Sequence, residues 1–276
     1  MTGTEALARG VRMLRDAGVP DAAQDARRLL ARALDVPPGR LTVVQGDAVF
    51  PSKLEAYETL LARRAKREPV SHLLGLRAFW GRDFEVSGDV LDPRPETEIL
   101  IAAALEVSFE RVLDLGTGSG CILLTLLAER PAATGLGLDL SPAALEVARR
   151  NAVRLGVADR ASLMLSNWFE RAEGAFDLIV SNPPYIAADE MPGLEPEVRD
   201  WEPRLALTDE GDGLNAYRAI LASAARHLGP LGRLMVEIGP TQAEAVAAIG
   251  AEHGFAPAEV RRDFDGRARV CLFGVS

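Results

Sequence analysis

From Arg111 onward the chain repeats one unit: a short apolar run, a turn, then a stretch with helical spacing. This alternation narrows the possible folds more than any other feature. The runs at Arg111–Leu115, 136–140, Ala161–Leu165, 176–180 and 233–238 have the length and apolar character of buried strands. Cys121–Glu129, a segment from Ser141-Pro142 to about Leu155, and 216–228 and 241–253 read as helices. Ser141 suits an N-cap and Pro142 the first helical position. A closing pair of strands falls near 258–262 and 269–273. Alternating strand and helix units predict a parallel sheet with helices on both faces.

The first 74 residues differ. Ala6, Leu7, Val11 and Leu14 recur at helical spacing until Gly18-Val19-Pro20 stops them. Asp21 is placed to cap a second helix carrying Ala26, Leu29, Leu30 and Leu34, which Val36-Pro37-Pro38-Gly39 breaks. A third begins after Pro51-Ser52 and ends in the basic stretch Arg63-Arg64-Ala65-Lys66-Arg67. That stretch fits either a helix C-terminus, where the dipole favours cations, or a contact with an acidic partner. From Ala78 to Val90 aromatic and β-branched residues alternate around Gly81, which reads as a β-hairpin joining two domains. The expected division is 1–75, helical; 76–92, hairpin linker; and 93–276, α/β.

Composition bears on partners and compartment. Residues 1–70 hold 12 Lys and Arg against 9 Asp and Glu, and the remainder 19 against 31. An acidic α/β half is a poor footprint for duplex nucleic acid, whose binding rests on neutralised phosphates. Apolar runs fall short of the ~20 residues that span a bilayer, and the first 12 residues lack a secretory apolar core. A cytoplasmic protein without membrane contact is expected. The two cysteines and three histidines show no metal-type spacing, so no metal site is expected.

Three features carry chemistry. Gly116-Thr117-Gly118-Ser119-Gly120 lies between a strand and a helix, where backbone approaches a ligand closely. Its third glycine comes one residue too early for the dinucleotide fingerprint, and no phosphate-loop lysine follows. A nucleoside-bearing cofactor without a pyrophosphate fits. Asp139, ending the next strand, is positioned to accept hydrogen bonds from ribose hydroxyls. Ser181-Asn182-Pro183-Pro184-Tyr185 leaves the sheet as a stiff turn, because two prolines cannot continue a ladder. The prolines offer carbonyls with no N–H beside them. With the Asn182 side-chain carbonyl and the Tyr185 ring, they suit a planar group bearing an NH2, either an amide or adenine. All three features sit at the carboxyl ends of strands, the edge where open sheets bind ligands.

This set resembles the S-adenosylmethionine-dependent methyltransferases that methylate nitrogen. Asn182 to Tyr185, Pro93-Arg94-Pro95-Glu96-Thr97-Glu98, Phe79-Trp80-Gly81, and Glu202-Pro203 with Ala206-Leu207 are similar to the HemK/PrmC family of release factor glutamine methyltransferases. The likeness spans essentially the whole chain. It implies a class I, Rossmann-like methyltransferase with a mostly parallel seven-stranded sheet, a small N-terminal helical substrate-recognition domain and a hairpin linker. It also implies S-adenosylmethionine as cofactor, and as substrate the glutamine of the Gly-Gly-Gln loop in class I peptide release factors. The cofactor site expected on that basis is Gly116, Thr117, Gly118, Ser119, Gly120, Asp139, Trp168 and Asn182. Trp168 is equally consistent with a core aromatic. Asn182 and Pro183 are the expected catalytic pair, and Asn182, Pro183, Pro184 and Tyr185 the substrate contacts. Asp92 departs from the family, which usually has an aliphatic residue there; the change bears on local packing. A ribosomal-protein glutamine, an adenine in nucleic acid, and a fold retained without activity are the alternative readings.

Overall fold

The computed structural model describes residues 1–274; the last two residues of the expected unit 93–276 lie outside the described residues. The chain divides into two units: Met1–Leu76 together with Glu195–Trp201, and Arg77–Leu194 together with the chain from Glu202 onward.

The first unit is helical. Gly3–Asp16, Ala22–Leu34 and Pro51–Arg64 are its long helices, with short ones at Leu41–Val44 and Val70–Leu74. Thr2 and Glu5 form a reciprocal capping box on the first. Asp21 occupies the N-cap position of the second, but its side chain makes no capping hydrogen bond. Leu14, Leu29, Leu30, Leu41 and Tyr57 form the core, and the Tyr57 hydroxyl donates to the Ala26 carbonyl at 3.1 Å. The three arginines of the basic stretch bond carboxylates of this chain. Arg63 bonds Glu68 at 2.8 Å. Buried Arg64 bonds Asp25 at 2.7 Å and Glu197 at 2.8 Å. Arg67 grips Glu197 at 2.7 and 2.6 Å. These ion pairs, formed across some 130 residues of sequence, bring Glu195–Trp201 into the helical unit.

A hairpin of β1 (Leu76–Phe79) and β2 (Arg82–Glu85) opens the α/β part. Its turn, Trp80-Gly81, has φ of +48° and +67°, the pattern of a tight two-residue hairpin loop. The seven-stranded sheet comprises β3 (Arg111–Leu115), β4 (Thr134–Asp139), β5 (Ala161–Leu165), β6 (Phe176–Ser181), β7 (Leu228–Glu237), β8 (Glu259–Arg262) and β9 (Ala268–Gly274). Their spatial order is β5-β4-β3-β6-β7-β9-β8. Five strands run parallel, and β9 is antiparallel to both its neighbours.

The central strands are buried on both faces, and their side chains alternate between two cores. Val112, Leu178, Val180 and Met235 join Leu100, Ile101 and Leu123 on one side. Leu113, Ile179, Leu234 and Val236 join Tyr217, Ile220 and Val246 on the other. The two-residue period of a strand dictates this division. Each such side chain removed from water contributes roughly 1.5–3 kcal/mol.

β4 begins two residues before the apolar run at 136–140, at Thr134. Glycines are poor strand formers by propensity, yet here they serve packing. A Cβ on Gly135 would lie 2.5 Å from Leu123 Cδ1 and 3.0 Å from Val112 Cγ1. Gly135 thus lets the helix Cys121–Glu129 settle directly on the sheet. Gly135→Val is expected to lower the urea midpoint of unfolding, at a cost of about 1–3 kcal/mol from overpacking; an unchanged midpoint would contradict that close packing.

Candidate active site

Register brings the site together. Leu115 pairs with Leu138 of β4 and with Ser181 of β6, and Ser181 pairs with Val236 of β7. The next residue on each strand is therefore Gly116, Asp139, Asn182 or Glu237, in one row along the carboxyl edge of the sheet. The Ser181 hydroxyl donates to the Leu115 carbonyl at 2.7 Å and locks β6 to the root of the glycine loop.

The loop needs its glycines for backbone reasons. Gly116, Gly118 and Gly120 have φ of +70°, +54° and +80°, values that side-chain-bearing residues avoid. Space beside Gly116 is open, with nothing within 4 Å of where a Cβ would lie. Gly120 faces inward instead: a Cβ there would sit 2.7 Å from Leu124, and the residue caps the helix Cys121–Glu129.

Asp139 is fixed at both oxygens. Oδ2 accepts the Gly118 N–H and Oδ1 the Ser141 N–H, each at 2.8 Å. Burial pushes its pKa above the usual carboxylate value, against the pull of those N–H groups. Asp114, wholly buried in β3, accepts from the Thr117 hydroxyl at 2.7 Å. Burial pushes its pKa up to about 7. The sign that could have exposed it in the sequence is an acidic residue inside an otherwise apolar strand.

A cavity of about 390 Å³ opens against this edge. Gly116, Thr117, Gly118, Ser119 and Asp139 form one wall, with Trp168, Asn182 and Pro184 beside them. Asp92, Arg94 and Thr97 of the Pro-rich stretch and Pro203, Leu205 and Ala206 of the Glu-Pro segment complete it. Buried Glu202 is held by an ion pair to Arg94, which joins two motifs 108 residues apart. Asp92, 4 % exposed, is part of the cavity wall rather than of the apolar core. Glu98 and Trp80 brace the hairpin: the Trp80 N–H donates to Glu98 at 2.7 Å.

Trp168 is half-buried and has φ of +46°. A bulky residue in that region costs on the order of 1–3 kcal/mol and persists where its surroundings impose it. Here the Ser166 hydroxyl donates to the Trp168 carbonyl at 3.0 Å and accepts the Arg171 N–H at 3.1 Å.

The Asn-Pro-Pro-Tyr turn divides between the cavity and the interior. Asn182 and Pro184 line the cavity; Pro183 is buried and, with Gly120 and Tyr185, lies outside the lining. The Tyr185 ring packs against the core on the Tyr217 side, and its carbonyl accepts from Gln242 at 2.9 Å. Burial pushes its phenol up to about 12. The Asn182 Nδ2 donates to Thr97 Oγ1 at 3.3 Å. Thr97 is 2 % exposed, and Glu237, which closes the neighbouring strand β7, is 1 % exposed. Sequence reasoning passed over both Thr97 and Glu237 as individual residues. A lone carboxylate closing the apolar run Leu234-Met235-Val236 was the available signal.

The donor set fits S-adenosylmethionine. The cavity size suits a small ligand, Asp139 offers a preoriented acceptor for ribose hydroxyls, and the open face of Gly116 and Gly118 admits a close backbone contact. Apolar surface from Leu140, Ile122 and Trp168 would flank the base.

Residues 5–75 match the PrmC N-terminal domain family, and residues 87–193 the methyltransferase small domain family. The chain is 56 % identical over 270 residues to the release factor glutamine methyltransferase of Cereibacter sphaeroides, covering 98 % of this chain and 97 % of that protein. It is 46 % identical over 269 residues to the enzyme of the same name from Rhodospirillum rubrum, covering 96 % and 83 %. Among solved structures, a methyltransferase from Pyrococcus furiosus superposes with a TM-score of 0.56 at 20 % identity, over 77 % of this chain and 97 % of that one. Fold and cavity define an S-adenosylmethionine-dependent methyltransferase. At this identity over nearly its full length, the chain belongs to the release factor glutamine methyltransferase family. No helix among the described residues is long and apolar enough to cross a membrane.

Asp139→Ala is expected to raise the dissociation constant for S-adenosylmethionine roughly 10- to 100-fold in calorimetry, the scale of losing hydrogen bonds to a charged acceptor. Unchanged affinity would remove Asp139 from the cofactor site.

Proposed function

We infer that this enzyme transfers a methyl group from S-adenosylmethionine to the side-chain amide nitrogen of a release-factor glutamine, the one in the Gly-Gly-Gln loop of class I factors. The observation that carries this reading is Asn182 on the cavity wall, its amide nitrogen turned to Thr97, in register beside the glycine loop. The family relationship supports the substrate class: relatives named for release factor glutamine methylation match over 98 % and 96 % of this chain.

An amide nitrogen is a poor nucleophile because its lone pair is delocalised into the carbonyl. When bound, the cofactor supplies an electrophilic methyl on a sulfonium sulfur. The work left to this chain is to restore nucleophilicity and to aim it. The Asn182 Oδ1 on the cavity wall accepts one N–H bond of the incoming glutamine; the acceptor proposed for the second, the Pro183 carbonyl, belongs to a residue that lies outside the cavity lining. Those contacts strengthen as positive charge builds on nitrogen. Preorganised groups of this kind are worth about 3–4 kcal/mol each, or two to three decades in rate. Holding nitrogen in line with the methyl adds a proximity term. Pro184 flanks the amide, and Tyr185 backs the turn from the core side. The N–C bond forms as the C–S bond breaks, and the alkylated nitrogen, now strongly acidic, releases its proton. The helical unit 1–75 is the part assigned to recognising the protein substrate, the hairpin at 76–92 the linker, and 93–276 the catalytic unit.

Asn182→Ala is expected to lower kcat by roughly 100- to 1,000-fold while cofactor affinity changes by no more than a few-fold. The assay is transfer of labelled methyl to a purified class I release factor, with a loop-glutamine replacement and adenine-containing DNA in parallel. Near-wild-type kcat in the variant would refute the role of Asn182. Label on DNA would mean that the planar substrate is adenine.

A further inference from the structure

A turn built on two consecutive prolines is hard to hold in place. Pro183 and Pro184 have no N–H, so the backbone there cannot be pinned by donors of its own. Its anchors are at its ends. At the first, the Ser181 hydroxyl donates to the Leu115 carbonyl. At the second, the Tyr185 carbonyl accepts from the side chain of Gln242.

Gln242 directly precedes the helix Ala243–Glu252 and is half-buried. Its carboxamide is used at both ends. Nε2 donates to the Tyr185 carbonyl at 2.9 Å and to the Gly213 carbonyl at 3.3 Å. Oε1 accepts the Gly239 N–H at 3.0 Å. The Tyr217 hydroxyl, which donates to the Glu237 main-chain carbonyl at 2.9 Å, lies 3.4 Å from the same Oε1. A carboxamide can flip only where its partners can exchange roles. Here main-chain carbonyls face the NH2 and a main-chain N–H faces the oxygen, so the orientation is fixed without any titrating group. Glycines make room for it on two sides. A Cβ on Gly213, which has φ of +75°, would collide with the Tyr185 carbonyl oxygen, and one on Gly239 would lie 2.9 Å from Gln242 Oε1.

The two carbonyls that share this NH2 belong to the two ends of one loop. The chain leaves the Asn-Pro-Pro-Tyr turn at Tyr185 and returns at Gly213. The main chain laces the same neck: the Ile186 N–H donates to the Leu207 carbonyl at 3.0 Å, and the Ala188 N–H to the Gly211 carbonyl at 2.9 Å. Between these ends lie Pro203, Leu205 and Ala206, which line the cavity together with Asn182.

We propose that Gln242 is a positioning residue for methyl transfer. By clasping Tyr185 to Gly213 it holds the Asn-Pro-Pro-Tyr turn, and with it Asn182, in place against the wall that Pro203, Leu205 and Ala206 provide. The inference rests on the glutamine-methylation reading above. Gln242 does not itself line the cavity, so it acts through the turn and not on substrate or cofactor. The glycine loop is tied to Asp139 by the Gly118 N–H, on the other side of the cavity edge, and does not depend on it.

The test combines kinetics with a substrate-free measurement. Gln242→Met keeps the shape and removes the hydrogen bonds. Gln242→Glu keeps an acceptor for the Gly239 N–H but sets an oxygen against two carbonyls. Both should lower kcat roughly 10- to 100-fold while binding S-adenosylmethionine within about threefold in calorimetry, which shows that they are folded. Gly213→Ala, which presses on the same Tyr185 carbonyl from the other side, should reproduce the loss and carries the same tests if Gln242→Met fails to fold. A merely structural defect would multiply with the loss in Asn182→Ala. A residue that works through Asn182 adds little once that side chain is gone, so Gln242→Met should lower kcat less than threefold in the Asn182→Ala background. The chain has four asparagines, so protein labelled with 15N-asparagine gives four side-chain NH2 pairs, and Asn182→Asp identifies the relevant one. Gln242→Met should displace the Asn182 pair and leave those of Asn151, bonded to Glu85 and Ser119, and Asn167, bonded to Glu170, where they are. An unmoved Asn182 pair would overturn the proposal, as would kcat in Gln242→Met within twofold of wild type or equal losses in the two backgrounds. If the wild-type enzyme labels no release factor, the substrate reading fails, and the Asn182 resonance still decides whether Gln242 positions the turn.

Discussion

The parallel ladder of β3 with β4 and β6 is the constraint from which the site follows. Parallel strands end at the same edge, and their fixed spacing puts the next residue of each within a few ångströms of its neighbours. Pairing of Leu115 with both Leu138 and Ser181 sends Gly116, Asp139 and Asn182 out together. That register places residues 116, 139 and 182 on one cavity. Slippage of a strand by one residue would also turn its inward side chains to the other face, so the two buried cores enforce the same register that the site requires.

Burial of charge at that edge is the cost of the arrangement. Asp114 and Glu237 are both removed from water, and both have a pKa raised to about 7 by that burial. A packed apolar residue at either position would favour stability. Their presence beside the glycine loop and the Asn-Pro-Pro-Tyr turn fits the common pattern in which functional sites hold groups that the fold alone would not select.

Much of this was readable from local signals. Ser141-Pro142 marked a helix start, and the Ser141 hydroxyl accepts the Ala144 N–H at 3.2 Å. The strand ends before the glycine loop and before Asn-Pro-Pro-Tyr were bounded by residues that cannot extend a ladder. What escaped was encoded by long-range partners. Thr97 looks like one more polar residue in a Pro-rich stretch until Asn182 arrives from the end of a strand 85 residues away. The basic stretch at 63–67 read as a helix end or a partner surface because its carboxylate, Glu197, lies some 130 residues away. β7 extends back to Leu228, well before the apolar run at 233–238, because Gly229-Pro230 hides the strand from propensity while Leu228 still pairs with Phe176.

The central claim is that the Asn182 edge delivers one methyl group to one glutamine amide. The most direct measurement is peptide mass mapping of a class I release factor after incubation with this enzyme and S-adenosylmethionine. The account predicts a single added methyl on the loop peptide, with fragment ions placing it on the glutamine side chain. A methyl on any other residue, or an unmodified loop peptide from a factor the enzyme demonstrably binds, would contradict it.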